Sequence, residues 1–334
     1  MLAVETGARF AYVTRRANDR GALVAGVHPS LLPGGRWSAA AEERAEVEEV
    51  WGGPLELPQR GRDWREILEA AANREIDVLF LIGVDPLRDY PDAALARRAL
   101  ENVPRKVVQS LELGSLESFA DAFLPAAAFL EKEGHVTTWE GRGQRLRRVR
   151  DPLGMCLPDW EIFASLALAC GGDLGFETLE ELHEEMGRLL APHEPRERAI
   201  ADTGAAPAVI GDGEVLLFTY PMLLDEGRLS EGADELKAAL ADDAFLEIHP
   251  DDASDRGLAD GSPGIVRTGA GEAVLPVRVT DHVAKGAVFA PFNQAGFAAN
   301  TLLQGRFSVA ATLEAVEVAP GSEAVAEVGA GGAG

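Results

Sequence analysis

A chain of 334 residues that is 46% hydrophobic and 26% charged has the profile of a globular protein, with apolar material for two cores. Its net charge of −24, from 31 basic and 55 acidic residues, repels phosphate backbones and argues against nucleic-acid partners. Most of the excess is local: residues 151–260 hold 26 acids against 6 Lys and Arg, a balance of −20. The two cysteines, Cys156 and Cys170, are too few for an iron–sulfur cluster, which takes about four thiolates, and they exclude a disulfide framework. That usage suits a reducing cytoplasm. No stretch approaches the ~20 apolar residues of a spanning helix. The opening MLAVETGARF lacks the basic and apolar regions of a signal peptide, so any membrane link is expected to run through partners.

Residues 1–190 read as an α/β domain. A short strand is expected at Ala8–Val13, then an aperiodic loop over 15–37 that turns at Leu31-Leu32-Pro33-Gly34-Gly35. Asp63 is placed to cap a helix that runs to Arg74, with Ile67, Leu68 and Ala71 on one face. The run Ile76–Gly83 is nearly all apolar, as parallel strands covered on both faces are. A helix around Asp92–Glu101 and a strand at Lys106–Leu111 complete a right-handed β–α–β unit, and hence a doubly wound sheet. Residues 131–158 are irregular and rich in Arg, and 159–170 and 178–190 read as amphipathic helices. Residues 191–213, with Pro192, Pro195 and Pro207, read as an interdomain linker.

The pattern then changes. Short strands recur at Val215–Thr219, Phe245–Ile248, Gly264–Thr268, Ala273–Thr280, Ala287–Ala290 and Thr312–Val318. Asp260-Gly261 and Gly269-Ala270-Gly271 are hairpin turns that use the positive φ open to glycine. This spacing predicts a small β-barrel over 214–320, followed by a disordered Gly- and Ala-rich tail at 321–334.

No self-sufficient catalytic signature is present: no phosphate-binding G-x-x-x-x-G-K-[ST], no H-E-x-x-H and no G-x-S-x-G. The six histidines are scattered and read as surface or structural groups. Gly83-Val84-Asp85-Pro86 lies just past the C-terminal end of a parallel strand, where open α/β sheets bind ligands. Gly83 permits close backbone approach and Asp85 can accept from a base or ribose. The plainer reading is a turn in which Pro86 fixes φ. Arg142, Arg145, Arg147, Arg148 and Arg150 form a basic run, either an anion- or partner-docking strip or, preferably, a solvated face paired with nearby acids.

The segment Phe123–Gln144 carries Leu124-Pro125, Glu131-Lys132, Gly134 and Glu140-Gly141-Arg142-Gly143-Gln144. It resembles the "LP…EK.GT..N.EGR.Q" segment of the molybdopterin oxidoreductase superfamily. Its EGR form is similar to the G-subunit family of bacterial NADH-quinone oxidoreductase (complex I) more than to formate dehydrogenases or nitrate reductases, which usually show ERR. Asp159-Trp160-Glu161-Ile162 resembles the helix that follows in both groups. Arg20–Leu23, Leu31–Arg36 and Gly83–Pro86 resemble the G-subunit family in particular. Leu246–Ala253, Gly257–Gly261, Val266, Val277–Val279 and Gly286–Asn293 resemble the superfamily's molybdopterin-dinucleotide-binding domain. Pro250 is placed to open a short helix there, with Asp251 and Asp252 in its first turn and Gly257 at its close. The chain departs from the family where His135 follows Gly134, where Thr138 replaces an Asn, and where Phe218-Thr219-Tyr220-Pro221 replaces the Thr-Gly-Arg of the redox enzymes.

The resemblance implies an α/β doubly wound parallel-sheet domain followed by a double-psi β-barrel. It implies vestigial cofactor positions at Gly83, Asp85, Glu140, Arg142, Gln144 and Asn300, with no catalytic residue, metal site or cofactor in this chain. The implied role is structural, supporting assembly. The implied partners are other subunits of the complex I peripheral arm and an iron–sulfur-carrying N-terminal part or polypeptide. The implied place is the cytoplasmic face of the cell membrane, with no direct insertion. Against the family pattern the chain starts late, and the iron–sulfur region and the first half of the molybdopterin-type domain are expected to be missing. The alternative is the C-terminal half of an active molybdopterin-dependent oxidoreductase, formate dehydrogenase-like, holding molybdopterin guanine dinucleotide at the same positions.

Overall fold

The computed structural model describes residues 5–8, 13–14, 16–191 and 208–316. The chain divides into two compact units, Met1–Asp85 with Leu95–Asp202, and Pro86–Ala94 with Thr203–Gly334. The strand expected at Ala8–Val13 and the proline-containing linker fall largely outside the described residues, and the tail after 320 does so entirely.

In the first unit, α1 (Asp19–Val24), the antiparallel pair β1 (Leu31–Leu32) and β2 (Arg36–Trp37), and α2 (Ala41–Trp51) precede α3 (Trp64–Ala72). The loop expected over 15–37 therefore contains a helix, although the turn through Gly34 and Gly35 stands where the sequence puts it. A six-residue helix with no buried residue leaves no apolar period to read. The same holds for α2, which buries only Glu43 and Val47. By contrast, α3 starts where its chemistry says it should. Asp63 Oδ1 accepts the Glu66 N–H at 2.9 Å, and Glu66 Oε2 accepts the Asp63 N–H at 2.7 Å, a complete capping box.

Three parallel strands follow, in the order β3 (Val78–Ile82), β4 (Arg105–Ser110) and β5 (Ala122–Pro125). Helix α5 (Ala93–Asn102) connects the first two, as a parallel crossover requires. It comes after the short α4 (Pro86–Asp89). The stretch 131–158, expected to be irregular, contains an antiparallel hairpin of β6 (Gly134–Thr137) and β7 (Gly143–Leu146). Its strands are short and polar, so no alternation announces them; tertiary anchors hold the hairpin instead. Thr137 N–H donates to Asn18 Oδ1 at 2.8 Å, and Arg20 Nη1 donates to the Trp139 carbonyl at 2.8 Å. Helices α6 (Asp159–Ala169) and α7 (Leu179–Leu189) complete the unit.

The second unit is built on a closed six-stranded barrel. Its strands are β8 (Val215–Tyr220), β9 (Leu246–Ile248), β10 (Pro263–Arg267), β11 (Glu272–Val279), β12 (Ala287–Pro291) and β15 (Ser308–Ala315), in the circular order β10-β11-β9-β12-β8-β15. Pairs β8–β12 and β9–β11 are parallel, and the others are antiparallel. The last strand begins four residues earlier than the sequence suggests. The minor pair β13 (Asn293–Gln294) and β14 (Phe297–Ala298) follows β12. Helix α8 (Asp234–Leu240) sits between β8 and β9, and α9 (Pro250–Asp255) opens on Pro250 as anticipated.

Inside the barrel Val215, Leu217, Leu246, Ile248, Val266, Val277, Val288 and Leu313 are buried together. Each such side chain contributes about 1.5–3 kcal/mol relative to exposure. Gly264 faces that core, and a Cβ there would lie 2.7 Å from Val277 Cγ2, so only glycine fits.

One segment sits with the unit that sequence order does not give it. Pro86–Ala94, read as part of the first domain, belongs to the barrel unit. The Gly305 N–H donates to the Pro91 carbonyl at 2.8 Å, and Arg88 pairs with Glu231 at 3.4 Å.

Candidate functional site

The positions singled out by the family segments fall in three places. Gly83 follows β3 with φ +62°, a left-handed turn that favours glycine, and its N–H donates to the Gln109 carbonyl at 2.8 Å. Asp85 is buried, and its Oδ2 accepts the Ser115 hydroxyl. The sequence places this carboxylate at the C-terminal edge of the parallel sheet; the structure shows it tied to the loop that follows β4.

Glu140, Arg142 and Gln144 lie exposed on the hairpin. Glu140 and Arg142 pair with each other at 3.2 Å across the turn at Gly141, whose φ is +88°. Thr138 caps that turn, its N–H donating to the Arg142 carbonyl at 3.0 Å and its Oγ1 accepting the Arg142 N–H at 3.3 Å. The basic run behaves as a face paired with acids: Arg145 with Glu133 at 3.0 Å, Arg148 with Asp151 at 3.5 Å, and Arg150 with Glu131 at 2.6 Å.

Glu131 and Lys132 of the same segment turn inward. Glu131 is buried and accepts the Ala128 N–H at 3.0 Å besides both Arg150 donors. Lys132 pairs with Asp159 at the start of α6, and the Gln109 amide also donates to Asp159 at 2.8 Å. The charged residues of the motif thus join β4, the hairpin approach and α6. All but Gln109 are visible in the sequence as family letters, with none of these roles attached. Their signal, a carboxylate three residues after a turn and a Lys–Asp pair 27 residues apart, emerges only in three dimensions.

The Ala128 N–H, and after it Arg150, hold the Glu131 carboxyl below the ordinary glutamate range. Arg145 does the same for Glu133, as do the backbone N–H and then the side chain of Lys106 for Asp121. Lowered folded-state values stabilise the fold above the unfolded pKa, and that stabilisation is lost as pH falls through the folded value. Stability of the chain should therefore decline as pH drops past about 4.3, the ordinary glutamate value. In urea titrations at stepped pH, Glu131→Gln should start less stable at pH 7 and decline less on acidification. Parallel pH profiles for the two proteins would contradict the assignment.

Asn300 lies in the second unit, in the turn after β14, with 1% of its surface exposed. Its amide donates to the Leu87 carbonyl at 2.7 Å and the Tyr90 carbonyl at 3.3 Å. Within the same unit an open cleft of about 590 Å³ is lined by Arg88, Glu226, Glu272, Asn293, Gln294 and Thr301, among others. Arg88, Gln294 and the two glutamates were not anticipated, because they come from four separate stretches of chain. Arg88 already donates to the Glu226 carbonyl at 3.3 Å and to Glu231. A pterin dinucleotide brings two phosphates, which call for several charged or N–H donors. Two carboxylates and one engaged guanidinium are a poor match for that charge. On β8, where the redox enzymes of the family carry an Arg, Tyr220 stacks on Phe289 with ring centroids 4.3 Å apart, and Thr219 Oγ1 is buried without a hydrogen-bond partner.

Both cysteines are free thiols. Among the described residues no three His, Cys, Asp or Glu side chains converge as metal ligands, and no helix is long and apolar enough to cross a membrane.

Comparison with known proteins agrees with this architecture. Residues 5–169 match the family model described as molybdopterin oxidoreductase, and residues 226–318 match the molybdopterin dinucleotide binding domain. The G subunit of NADH-quinone oxidoreductase from Streptomyces coelicolor is 37% identical over 296 residues, 87% of this chain and 35% of that protein. A Staphylococcus aureus protein named as a formate dehydrogenase is 30% identical over 85% of this chain and 33% of its own length. The chain thus spans about a third of the length of these relatives. Among solved structures, acetylene hydratase from Pelobacter acetylenicus superposes with a TM-score of 0.53 at 17% identity, covering 82% of this chain and 49% of that one. At that identity the likeness concerns the fold alone.

Proposed function

The chain belongs to the molybdopterin oxidoreductase family and is similar to a C-terminal portion of the G subunit of NADH-quinone oxidoreductase, and from that premise we propose that it is a structural element of such a protein, without a redox centre of its own. In this reading it supports assembly of the peripheral arm on the cytoplasmic face of the membrane, beside other subunits. Electrons pass through clusters carried by an iron–sulfur-bearing segment or polypeptide outside this chain. It is not catalytic by itself.

The observation that carries the reading is the fate of the family's polar residues. Asn300, Glu131, Lys132 and Asp85 each bond to the chain's own groups. The exposed Glu140 and Arg142 neutralise one another. Retaining a dinucleotide takes several charge-assisted bonds of about 1.5–3 kcal/mol each, so losing a few lowers affinity roughly a hundredfold or more.

The native assembly should accordingly contain no molybdenum, no tungsten and no pterin, and the isolated chain no iron and no visible charge-transfer absorption. Elemental analysis with fluorescence of the oxidised pterin after acid release checks this. Metal and pterin near one per chain would promote the second reading, a formate dehydrogenase-like molybdoenzyme. That reading has in its favour the open cleft beside Asn293 and the Staphylococcus aureus relative.

A further inference from the structure

The six histidines are scattered along the sequence, but the fold brings two of them together. His135 lies on β6 and His183 on α7, with ring centroids 5.4 Å apart and ring planes at 70°. His135 is also where the chain departs from the family segment, which usually carries threonine, so the family pattern does not account for the pair.

Both side chains sit on anchored elements. Strand β6 pairs with β7 and is tied to Asn18 through the Thr137 N–H at 2.8 Å. Helix α7 opens on a capping box between Thr178 and Glu181, and at its far end Arg36 Nη1 donates to the Leu189 carbonyl at 2.6 Å. Ligands carried on strands and helices hold position better than ligands on loops. His135 is exposed and His183 half-buried, so ions from solution reach the pair.

The ring geometry suits a shared metal. A metal–imidazole bond of about 2.0–2.1 Å, plus roughly 1.2 Å from nitrogen to ring centre, puts each ring centre about 3.2 Å from the ion. Two such rings on a tetrahedral ion have centres about 5.2 Å apart, close to the observed 5.4 Å. The nitrogen lone pairs lie in the ring planes, so stacked imidazoles aim them in parallel, whereas planes at 70° let them converge. The local charge does not oppose a cation. Arg145 stands opposite His135 in the strand register but pairs with Glu133 at 3.0 Å, and that carboxylate is within electrostatic reach of His183. Arg148 pairs with Asp151.

We propose that His135 and His183 together bind one divalent transition-metal ion, zinc or a neighbour such as nickel, and so clip α7 to the β6–β7 hairpin. Imidazole nitrogen suits those ions, whereas magnesium and calcium take oxygen ligands. Two protein nitrogens on a tetrahedral ion leave two positions for water or for a ligand group of an adjoining molecule. Zinc is redox-inert, so the site adds no redox centre. The proposal does not depend on the functional reading above.

The probe is zinc chloride, titrated calorimetrically into the full chain after removal of metal with EDTA. One zinc per chain is expected. His135→Thr, which restores the family residue, and His183→Gln should each weaken binding roughly a hundredfold, since the second imidazole adds as an intramolecular ligand. His282→Gln, at an exposed histidine of the other unit, should change nothing. Without metal all three variants should melt with the native chain. Zinc should raise the melting temperature of the native chain and of His282→Gln only. In the native chain zinc should also slow amide exchange over 134–146 and 179–189, a map that locates the ion without any variant. Magnesium chloride at the same concentration should do neither, which separates the site from general attraction of cations to a chain of net charge −24. Zinc binding that survives both substitutions, that depends on only one of them, that protects other segments instead or that magnesium reproduces would overturn the proposal, as would the absence of stoichiometric binding.

Discussion

Phe289→Ala should destabilise the barrel unit by roughly 3–5 kcal/mol, the usual cost of truncating a buried aromatic. Phe289 is 2% exposed at the centre of an aromatic cluster, with Tyr220, Phe218 and Phe245 rings at 4.3, 5.4 and 6.0 Å. Its neighbours come from β8 and from the approach to β9, so the cavity would open where three barrel segments meet. Those neighbours are held by strand pairing and have little freedom to collapse into the space. All five tryptophans of the chain precede residue 161, outside the barrel, so indole fluorescence is the wrong probe. Calorimetry, or amide exchange of residues 215–220 and 287–291, reports the effect directly. A loss under about 1 kcal/mol, the range of volume-conserving changes, would mean that the cluster is not packed as described.

Asn300→Asp is expected to cost about 3 kcal/mol at neutral pH, and Asn300→Ala about 1–3 kcal/mol. The native amide donates to the two carbonyls Leu87 and Tyr90. Alanine removes the donors, whereas a carboxylate places negative charge against two oxygen acceptors in a buried site. The folded-state pKa of that introduced acid would be raised, because only its protonated form can donate. The excess penalty of the Asp variant over the Ala variant should therefore shrink as pH falls through the raised value. Urea midpoints of both variants at pH 7 and pH 5 measure this. If Asn300 served mainly to hold a ligand, either substitution would leave the stability of the unliganded chain nearly unchanged. That result would remove the strongest support for a structural reading.

Local chemistry was legible wherever it repeats at short range. The strand at Val78–Ile82, the Asp63 cap and the Pro250 helix start all stand within a residue or two of where the sequence puts them. Each depends on neighbours a few positions away. The Glu140–Arg142 pair is equally local, i and i+2 across a glycine turn, yet the sequence marked those two residues only as cofactor positions. The hairpin itself was not legible, because its strands carry no alternation and lean on Asn18 and Arg20, over a hundred residues upstream.

What the sequence by itself determined is the order of architectures, a parallel α/β unit and then a β-barrel, together with the family those segments belong to. Hydrophobic period and glycine turns act over a handful of residues, and family letters survive as a linear string. What only the tertiary structure decided is the use to which those letters are put. Asn300 meets carbonyls 210 and 213 positions away, Lys132 meets Asp159, and Pro86–Ala94 leaves its sequence neighbours to pack with the barrel. Hydrogen-bond partners at such separations are set by which strands close the barrel and which helices lie on the sheet. Asn300, a polar letter in the linear pattern, is once folded bonded to two carbonyls of its own chain.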